Sequence, residues 1–303
     1  MKKKLLSVLA LIAIIFASCG TKEQKQETTS SAMQKKVDEF AMVQLTTDVS
    51  KLNDKEKQLI GIFFDIADIM DELFWEQSFG DKSILDTISD QYIREFAMIQ
   101  YGAWNRLDCE KAFVPGFGEK PKGANFYPAD MTKEEFDALQ DPAKESLYTI
   151  IRRDENGALK VIPYREAYAE KLAVVDSLLG EAIALAEDAG LKNYLEKRRE
   201  AFRTDEYFES DMAWMDMKES KIDFVVGPIE NYEDALYGYK TAYEAFILVK
   251  DEKWSNDLAK YTKMLPELQT LLPCDPKYKQ EVPGTESDLN VYDVIYYAGD
   301  CNS

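Results

Sequence analysis

The sequence contains no histidine among its 303 residues. This absence excludes Ser-His-Asp and Cys-His catalytic triads, histidine-ligated zinc and imidazole acid–base catalysis by residues of this chain. Positive charge is also scarce, because 37 Lys and Arg stand against 56 Asp and Glu and leave a net charge of −19. Such an acidic surface repels phosphate, and the sequence has no compact basic stripe to offset this repulsion. We therefore expect no nucleic-acid partner.

Cysteine is limited to four residues, and none of them forms a C-x-x-C motif. Cys19 lies near the N-terminus, and Cys109, Cys274 and Cys301 follow at long spacings. Three cysteines at such spacings do not indicate a disulfide framework, although one bridge among them is permitted in an exported protein. We therefore expect buried free thiols.

The N-terminal segment resembles a bacterial lipoprotein signal peptide. Lysines open the chain, a short apolar run extends to Phe16, and small residues precede Cys19. The run is too short to span a bilayer. We predict a signal peptide at 1–18, an acylated Cys19 that anchors an exported body to the membrane of the cell envelope, and a flexible tether over 19–48. A plain secretory signal with an incidental cysteine is the alternative.

Helix signals dominate the rest of the sequence. Asn53 with Glu56 and Thr132 with Glu135 form two capping-box patterns, each followed by apolar residues at helical spacing. Further stretches with this spacing predict a helix from Tyr164 to a stop near Gly190, helices over Tyr194–Phe202 and Phe208–Trp214, and a helix over Trp254–Leu272 with a possible kink at Pro266.

Strand signals are fewer. An Asn-Gly step lies between two β-branched runs and predicts a hairpin over 149–162. Later strands are predicted at Ile222–Val226, Tyr239–Val249 and Val291–Tyr297. The order of these elements along the chain, with long helices first and strands interspersed later, favours a helix-rich α+β fold. The glycine-bearing stretch 116–123 lacks the spacing of a phosphate loop and is interpreted as a surface loop.

One segment, 220–234, carries candidate chemistry. It runs from a strand into a Gly-Pro break, after which Glu230 and Tyr232 follow two residues apart. On extended backbone the two side chains would point the same way. The carboxylate could bind the amino terminus of a peptide, and the phenol O–H could donate to a developing oxyanion. The alternative is a solvated Glu230 and a Tyr232 that packs among the tyrosines that follow it.

The residues from Gly227 to Phe246, which begin Gly-Pro-Ile-Glu-Asn-Tyr-Glu-Asp, resemble the strand–loop–strand of the dipeptidyl peptidase III family of zinc metallopeptidases. Three more stretches, 100–107, 123–132 and 292–302, fit the bacterial branch of that family in the same order. The resemblance implies a two-lobed peptidase, with a small β-barrel lobe and a helical zinc lobe, that removes dipeptides from the amino terminus of oligopeptides. In the family, the positions of Glu230 and Tyr232 contact the substrate's amino-terminal part and stabilise the tetrahedral intermediate, respectively.

The family's zinc ligands come from an H-E-x-x-G-H motif and a later glutamate, and this sequence has no such motif. The resemblance therefore implies the amino-terminal portion only: a partial barrel lobe over 49–250, the first helix of an otherwise missing zinc lobe within 251–288, and a truncated returning strand over 289–303. We expect no metal ligand or cofactor in this chain, zinc in the complete enzyme, and a missing C-terminal portion as partner.

On this interpretation an oligopeptide is the substrate of the complete enzyme, and the chain alone is inactive. The alternative is a non-catalytic, lipid-anchored lipoprotein that binds peptides or a partner protein. A downstream reading frame that encodes H-E-x-x-G-H would favour the first hypothesis, and peptide binding without hydrolysis and without zinc would favour the second.

Overall fold

The computed structural model describes residues 29–281 and 289–302, which hold ten α-helices and seven β-strands. The helices are α1 Thr29–Asp38, α2 Asp54–Ser78, α3 Gln91–Ile99, α4 Lys133–Ala138, α5 Tyr164–Ala167, α6 Ala169–Leu185, α7 Ala189–Thr204, α8 Phe208–Asp216, α9 Glu252–Thr262 and α10 Leu265–Leu271. The strands are β1 Trp104–Asn105, β2 Lys111–Ala112, β3 Thr149–Arg153, β4 Leu159–Pro163, β5 Ile222–Glu230, β6 Ala242–Lys250 and β7 Tyr292–Gly299.

The 25-residue helix α2 is the central element of the core. It begins at the predicted capping box, in which the Asn53 side chain accepts from the Glu56 amide and the Glu56 side chain accepts from the Asn53 amide. These bonds satisfy amides that the first helical turn leaves without an intrahelical partner. The buried face of α2 packs against α6 and against the sheet, where the Phe63 ring stacks on Phe224 with centroids 4.0 Å apart.

The main sheet is antiparallel, with β6 between β5 and β7. Phe224 pairs with Ile247, and both are fully buried on the face that meets α2. Side chains alternate across a strand, so Glu244 and Phe246 of β6 lie on the opposite face. This opposite face carries the candidate site described below.

The helix-rich α+β fold is confirmed, but the barrel is not. Among the described residues, the strands form one three-stranded sheet and two separate two-stranded hairpins, β1–β2 and β3–β4. A sheet of three strands has two outer edges and cannot close on itself, so these residues form an open sheet. The boundaries predicted at 250 and 288 stay predictions.

Two predicted helices are divided. The helix from Tyr164 breaks at Tyr168 and ends at Leu185, so the predicted stop at Gly190 is wrong. Asp188 accepts from the Leu191 amide and begins a new helix, which places Gly190 in its first turn. The Trp254–Leu272 stretch forms α9 and α10, with Pro266 in the first turn of α10, where its missing N–H costs nothing.

The cysteines of the described residues are free, but they are not all buried. Cys109 and Cys274 are exposed and Cys301 is half-buried, so the expectation of buried thiols is wrong for the first two. Each lies in a segment between or after the main helices and strands, where sequence hydropathy gives little information on burial.

The predicted signal peptide and Cys19 lie outside the described residues, and the lipid anchor stays a prediction. In the described part of the chain, no helix combines the length and the apolar composition that are needed to span a bilayer.

Candidate functional site

A cavity of about 1120 Å³ opens beside the second face of the main sheet. Its walls come from the end of β5, from β6, from the residues after β7, and from residues 106–122, here called the rim segment. The rim segment overlaps the stretch 116–123, which was expected to be a surface loop. It is part of the site, and its local pattern does not indicate this because the contact is made with residues more than 100 positions away.

Glu230 and Tyr232, the two candidate residues of the sequence, both line this cavity. Glu230 is the last residue of β5 and pairs with Ala242 after a shift of register at Pro228. Tyr232 lies beyond the strand, so the expected alternation along extended backbone does not apply to it. Its side chain is 79% exposed, which does not fit the alternative in which it packs among the later tyrosines.

The later tyrosines belong to other clusters. Tyr237 stacks on Phe136 with centroids 4.4 Å apart and on Tyr239 at 5.7 Å. Tyr243 is fully buried on the opposite side of β6, against Tyr164 and other rings. Tyr232 is thus the tyrosine of this group that lines the cavity.

Residues 231–241, here called the site turn, are fixed by the buried carboxylate of Asp234. It accepts a 2.7 Å hydrogen bond from the Tyr127 hydroxyl. It also accepts from four backbone amides, those of Leu236, Tyr237, Tyr239 and Lys240, at 2.9–3.2 Å. Asn231 closes the turn by donating to the Gly238 carbonyl at 2.7 Å. The turn that carries Tyr232 therefore has a defined backbone conformation.

Lys240 secures the far end of the site turn. Its fully buried ammonium donates to the carbonyls of Lys144 and Ser146 and to the Thr149 hydroxyl at 2.7–2.8 Å. Burial lowers the pKa of Lys240 to about 8, and the nearby negative charge of Asp234 acts in the opposite direction.

Glu233 joins the site turn to the rim segment. Its carboxylate is buried and receives Arg106 at 2.7 Å and Lys120 at 2.8 Å, and Lys120 also lies 3.1 Å from Glu110. Burial alone would raise the pKa of Glu233, but the two cations outweigh it, and the pKa lies below its ordinary value. These ion pairs hold two walls of the cavity together.

Glu244 of β6 is a second acidic group in the cavity, and it is only 3% exposed. Burial raises its pKa to about 8, and repulsion from Asp300 and Glu230 adds to the increase. Sequence reasoning did not single out Glu244. The sequence feature that could have identified it is a single carboxylate in a strand that is otherwise apolar up to its last residue.

The described residues do not fit a catalytic zinc site. In the ranges 29–281 and 289–302, no group of three or more His, Cys, Asp or Glu side chains could hold a metal ion. A hydrolytic zinc needs three protein ligands and one open position. The cavity is lined by carboxylates, a phenol, two thiols and several cations.

Comparisons with known proteins find two solved structures of dipeptidyl peptidases III and one curated relative. The structure of dipeptidyl peptidase III from Caldithrix abyssi is 38% identical, with a TM-score of 0.82, over 89% of this chain and 54% of that one. The dipeptidyl peptidase III of Corallococcus sp. strain EGB is 35% identical, with a TM-score of 0.78, over 90% and 53% of the two chains. A curated relative, Nudix hydrolase 3 of Arabidopsis thaliana, is 30% identical over 90% of this chain and 43% of that protein.

The chain spans about half the length of these relatives. The sequence model of peptidase family M49 matches residues 143–301, more than half of the chain, and this range includes the site turn and the whole main sheet. By this match, and by its structural likeness to two dipeptidyl peptidases III, the chain belongs to peptidase family M49.

Proposed function

We propose that this chain forms the peptide-binding wall of a dipeptidyl peptidase III-like enzyme that removes dipeptides from the amino terminus of oligopeptides. The observation that supports it most is that Glu230 and Tyr232 line one cavity, in a chain with the fold of dipeptidyl peptidases III. Family membership favours this function over that of a non-catalytic lipoprotein.

The two residues have complementary roles in the proposal. The Glu230 carboxylate attracts the ammonium group at the amino terminus of the peptide and so sets its register in the cavity. The Tyr232 hydroxyl donates to the carbonyl oxygen that gains negative charge as the scissile bond is attacked. A donor of this kind stabilises the transition state by about 3–4 kcal/mol where its loss has been measured.

Family M49 is zinc-dependent in general, and the described residues of this chain supply no zinc site. The chain's own contribution is therefore to bind the peptide, to orient its amino terminus and to stabilise the oxyanion. We propose that the zinc ligands belong to a C-terminal portion of the enzyme with which this chain acts.

A test uses the purified chain and dipeptidyl-2-naphthylamide substrates, with and without added zinc. We expect no release of naphthylamine under either condition. Zinc-dependent turnover by the 303-residue chain would overturn the assignment of the zinc ligands to another portion.

Binding tests the role of Glu230 separately. We expect the chain to bind trialanine, which has a free amino terminus, in preference to acetyl-trialanine. Glu230→Gln should weaken trialanine binding at least tenfold, because it removes the opposing charge. Glu155→Gln, at an exposed position in the β3–β4 turn, is the matched control. Equal affinity for both peptides would contradict the proposed register.

We further propose that Cys19 is acylated and anchors the protein to a membrane of the cell envelope. Cells that express the full chain and are fed an alkyne-labelled fatty acid should label the protein. Cys19→Ala should abolish the label, whereas Cys274→Ala, at an exposed cysteine, should retain it. Label that persists in Cys19→Ala would refute the anchor.

A further inference from the structure

Glu244 has no side-chain neighbour directly across from it on either adjacent strand. It pairs with Gly227 of β5 and with Gly299 of β7. Neither paired residue has a side chain, so no side chain at a directly paired position covers the Glu244 carboxyl or bonds to it. Glu244 itself lines the cavity.

The glycine at 299 cannot be replaced without movement of the backbone. Its φ is +72°, and a Cβ atom there would lie 2.2 Å from the carbonyl oxygen of Tyr243. Gly227 also has a positive φ, +137°, and a Cβ there would lie 3.1 Å from the Arg198 guanidinium. Both positions thus favour glycine, and neither strand offers a directly paired side chain to Glu244.

The groups that face Glu244 come from every wall of the cavity. β5 contributes Glu230, and the turn after β7 contributes Asp300 and the Cys301 thiol, all of which line the cavity. The rim segment contributes Arg106 and Lys120, which pair with Glu233, and further charged groups at Glu110, Lys111, Glu119 and Lys122, of which Lys111 pairs with Asp108. The charges that act on Glu244 are those of Asp300 and Glu230, both negative, and a cation is the ligand that would balance them.

We propose that Glu244 is a second carboxylate for the amino-terminal ammonium of the peptide, and that binding releases the proton that Glu244 carries in the empty cavity. The proposal rests on the proposed role of Glu230. In the step, the O–H bond of the Glu244 carboxylic acid breaks, its electron pair stays on the carboxylate, and the proton passes to the buffer. The peptide remains an ammonium ion and pairs with two carboxylates.

The physical reason is the cost of unbalanced charge. In the empty cavity a second buried carboxylate beside Glu230 and Asp300 is unfavourable, and the raised pKa keeps Glu244 neutral at pH 7. An ammonium within contact distance reverses this balance and lowers the pKa of Glu244. A peptide with a blocked amino terminus offers no such charge and leaves the proton in place.

Calorimetry of trialanine binding at pH 7.0 tests the proposal in two buffers, phosphate and Tris, that differ in ionisation enthalpy. The amino terminus of a peptide is already mostly protonated at this pH and takes up little further proton. We therefore expect a net release of ~1 proton per peptide bound. Glu244→Gln should bind more weakly and release none, and Glu155→Gln should behave as the native chain.

A second measurement does not depend on the folding of the variant. The ¹³C carboxyl resonance of Glu244 in the native chain should titrate with a midpoint near 8, and the midpoint should fall when trialanine is present. A midpoint that trialanine leaves unchanged, or binding without proton release, would overturn the proposal.

The outcomes separate the two proposals. If Glu230→Gln loses binding while Glu244→Gln still releases a proton, the role of Glu230 stands and that of Glu244 is refuted. If Glu230→Gln keeps full affinity while Glu244→Gln loses the release, only the role of Glu230 is refuted. No binding of trialanine to the native chain at millimolar concentration would refute both.

Discussion

At the scale of single residues, the cavity is lined by an exposed phenol, that of Tyr232, and by a carboxyl, that of Glu244, which is almost completely buried. The sequence motif predicted Tyr232 and Glu230. It could not predict the state of Glu244, because that depends on which residues of β5 and β7 pair with β6.

Tyr232→Phe should lower kcat about 100- to 1000-fold in any form of the enzyme that hydrolyses peptides, because it removes an oxyanion donor that acts in the transition state. KM should change little, because the hydrogen bond from Tyr232 stabilises the carbonyl of the bound substrate less than it stabilises the oxyanion of the transition state. Steady-state kinetics on a dipeptidyl-2-naphthylamide measure both. Tyr278→Phe, at an exposed tyrosine outside the cavity, is the control, and an unchanged kcat in Tyr232→Phe would remove its proposed role.

Glu244 should also make stability depend on pH. Its pKa is about 8 in the folded chain against 4.5 ordinarily, so between these values the folded state holds a proton that the unfolded state has lost. The free energy of unfolding should therefore decrease as pH rises from 5 to 8, by at most about 1.4 kcal/mol per pH unit. Urea unfolding of Glu244→Gln should lack this contribution. Parallel curves for both proteins would show that Glu244 is ionised in the empty cavity.

At the scale of elements, local signals predicted what local interactions decide. The capping boxes at Asn53 and Thr132 and the hairpin at Asn156-Gly157 are present as predicted, because each involves residues within a few positions of each other. The division of the Tyr164 helix and the absence of a closed barrel among the described strands depend on distant contacts. Sequence periodicity does not report such contacts.

Two glycines provide a matched test of element packing. Gly61 lies in α2 with nothing within 4 Å of an added Cβ, so Gly61→Ala should stabilise the protein by about 0.5–1 kcal/mol. Gly299→Ala should destabilise it by about 2 kcal/mol or more, because it combines a positive φ with a clash against the Tyr243 carbonyl. Urea unfolding measures both, and similar effects for the two would contradict the described end of β7.

At the scale of the whole molecule, charged side chains connect segments that are distant in sequence. Lys240 bonds to residues 144–149, and Glu233 bonds to the rim segment at Arg106. Both sets of contacts involve residues of the site turn, so the shape of the cavity depends on polar contacts between distant segments. A sequence reading alone could not place them, because Lys and Glu are normally expected on the surface.

Lys240→Met should destabilise the protein by about 1–3 kcal/mol, because it leaves the Lys144 and Ser146 carbonyls and the Thr149 hydroxyl without their buried donor. Urea unfolding at pH 7 measures the change, and Lys160→Met, at an exposed position, is the control. Native-like stability of Lys240→Met would mean that solvent replaces the ammonium at these acceptors.

The five hydrogen bonds that Asp234 accepts reduce the conformational entropy that the site turn would lose when a substrate binds. They restrain the main chain from Asp234 to Lys240, and the hydrogen bond from Asn231 to the Gly238 carbonyl restrains the turn on the other side of Tyr232, whose side chain is exposed. Only two torsions of one side chain then have to be frozen when a ligand arrives, an entropic penalty far smaller than that of ordering an eleven-residue loop of free backbone.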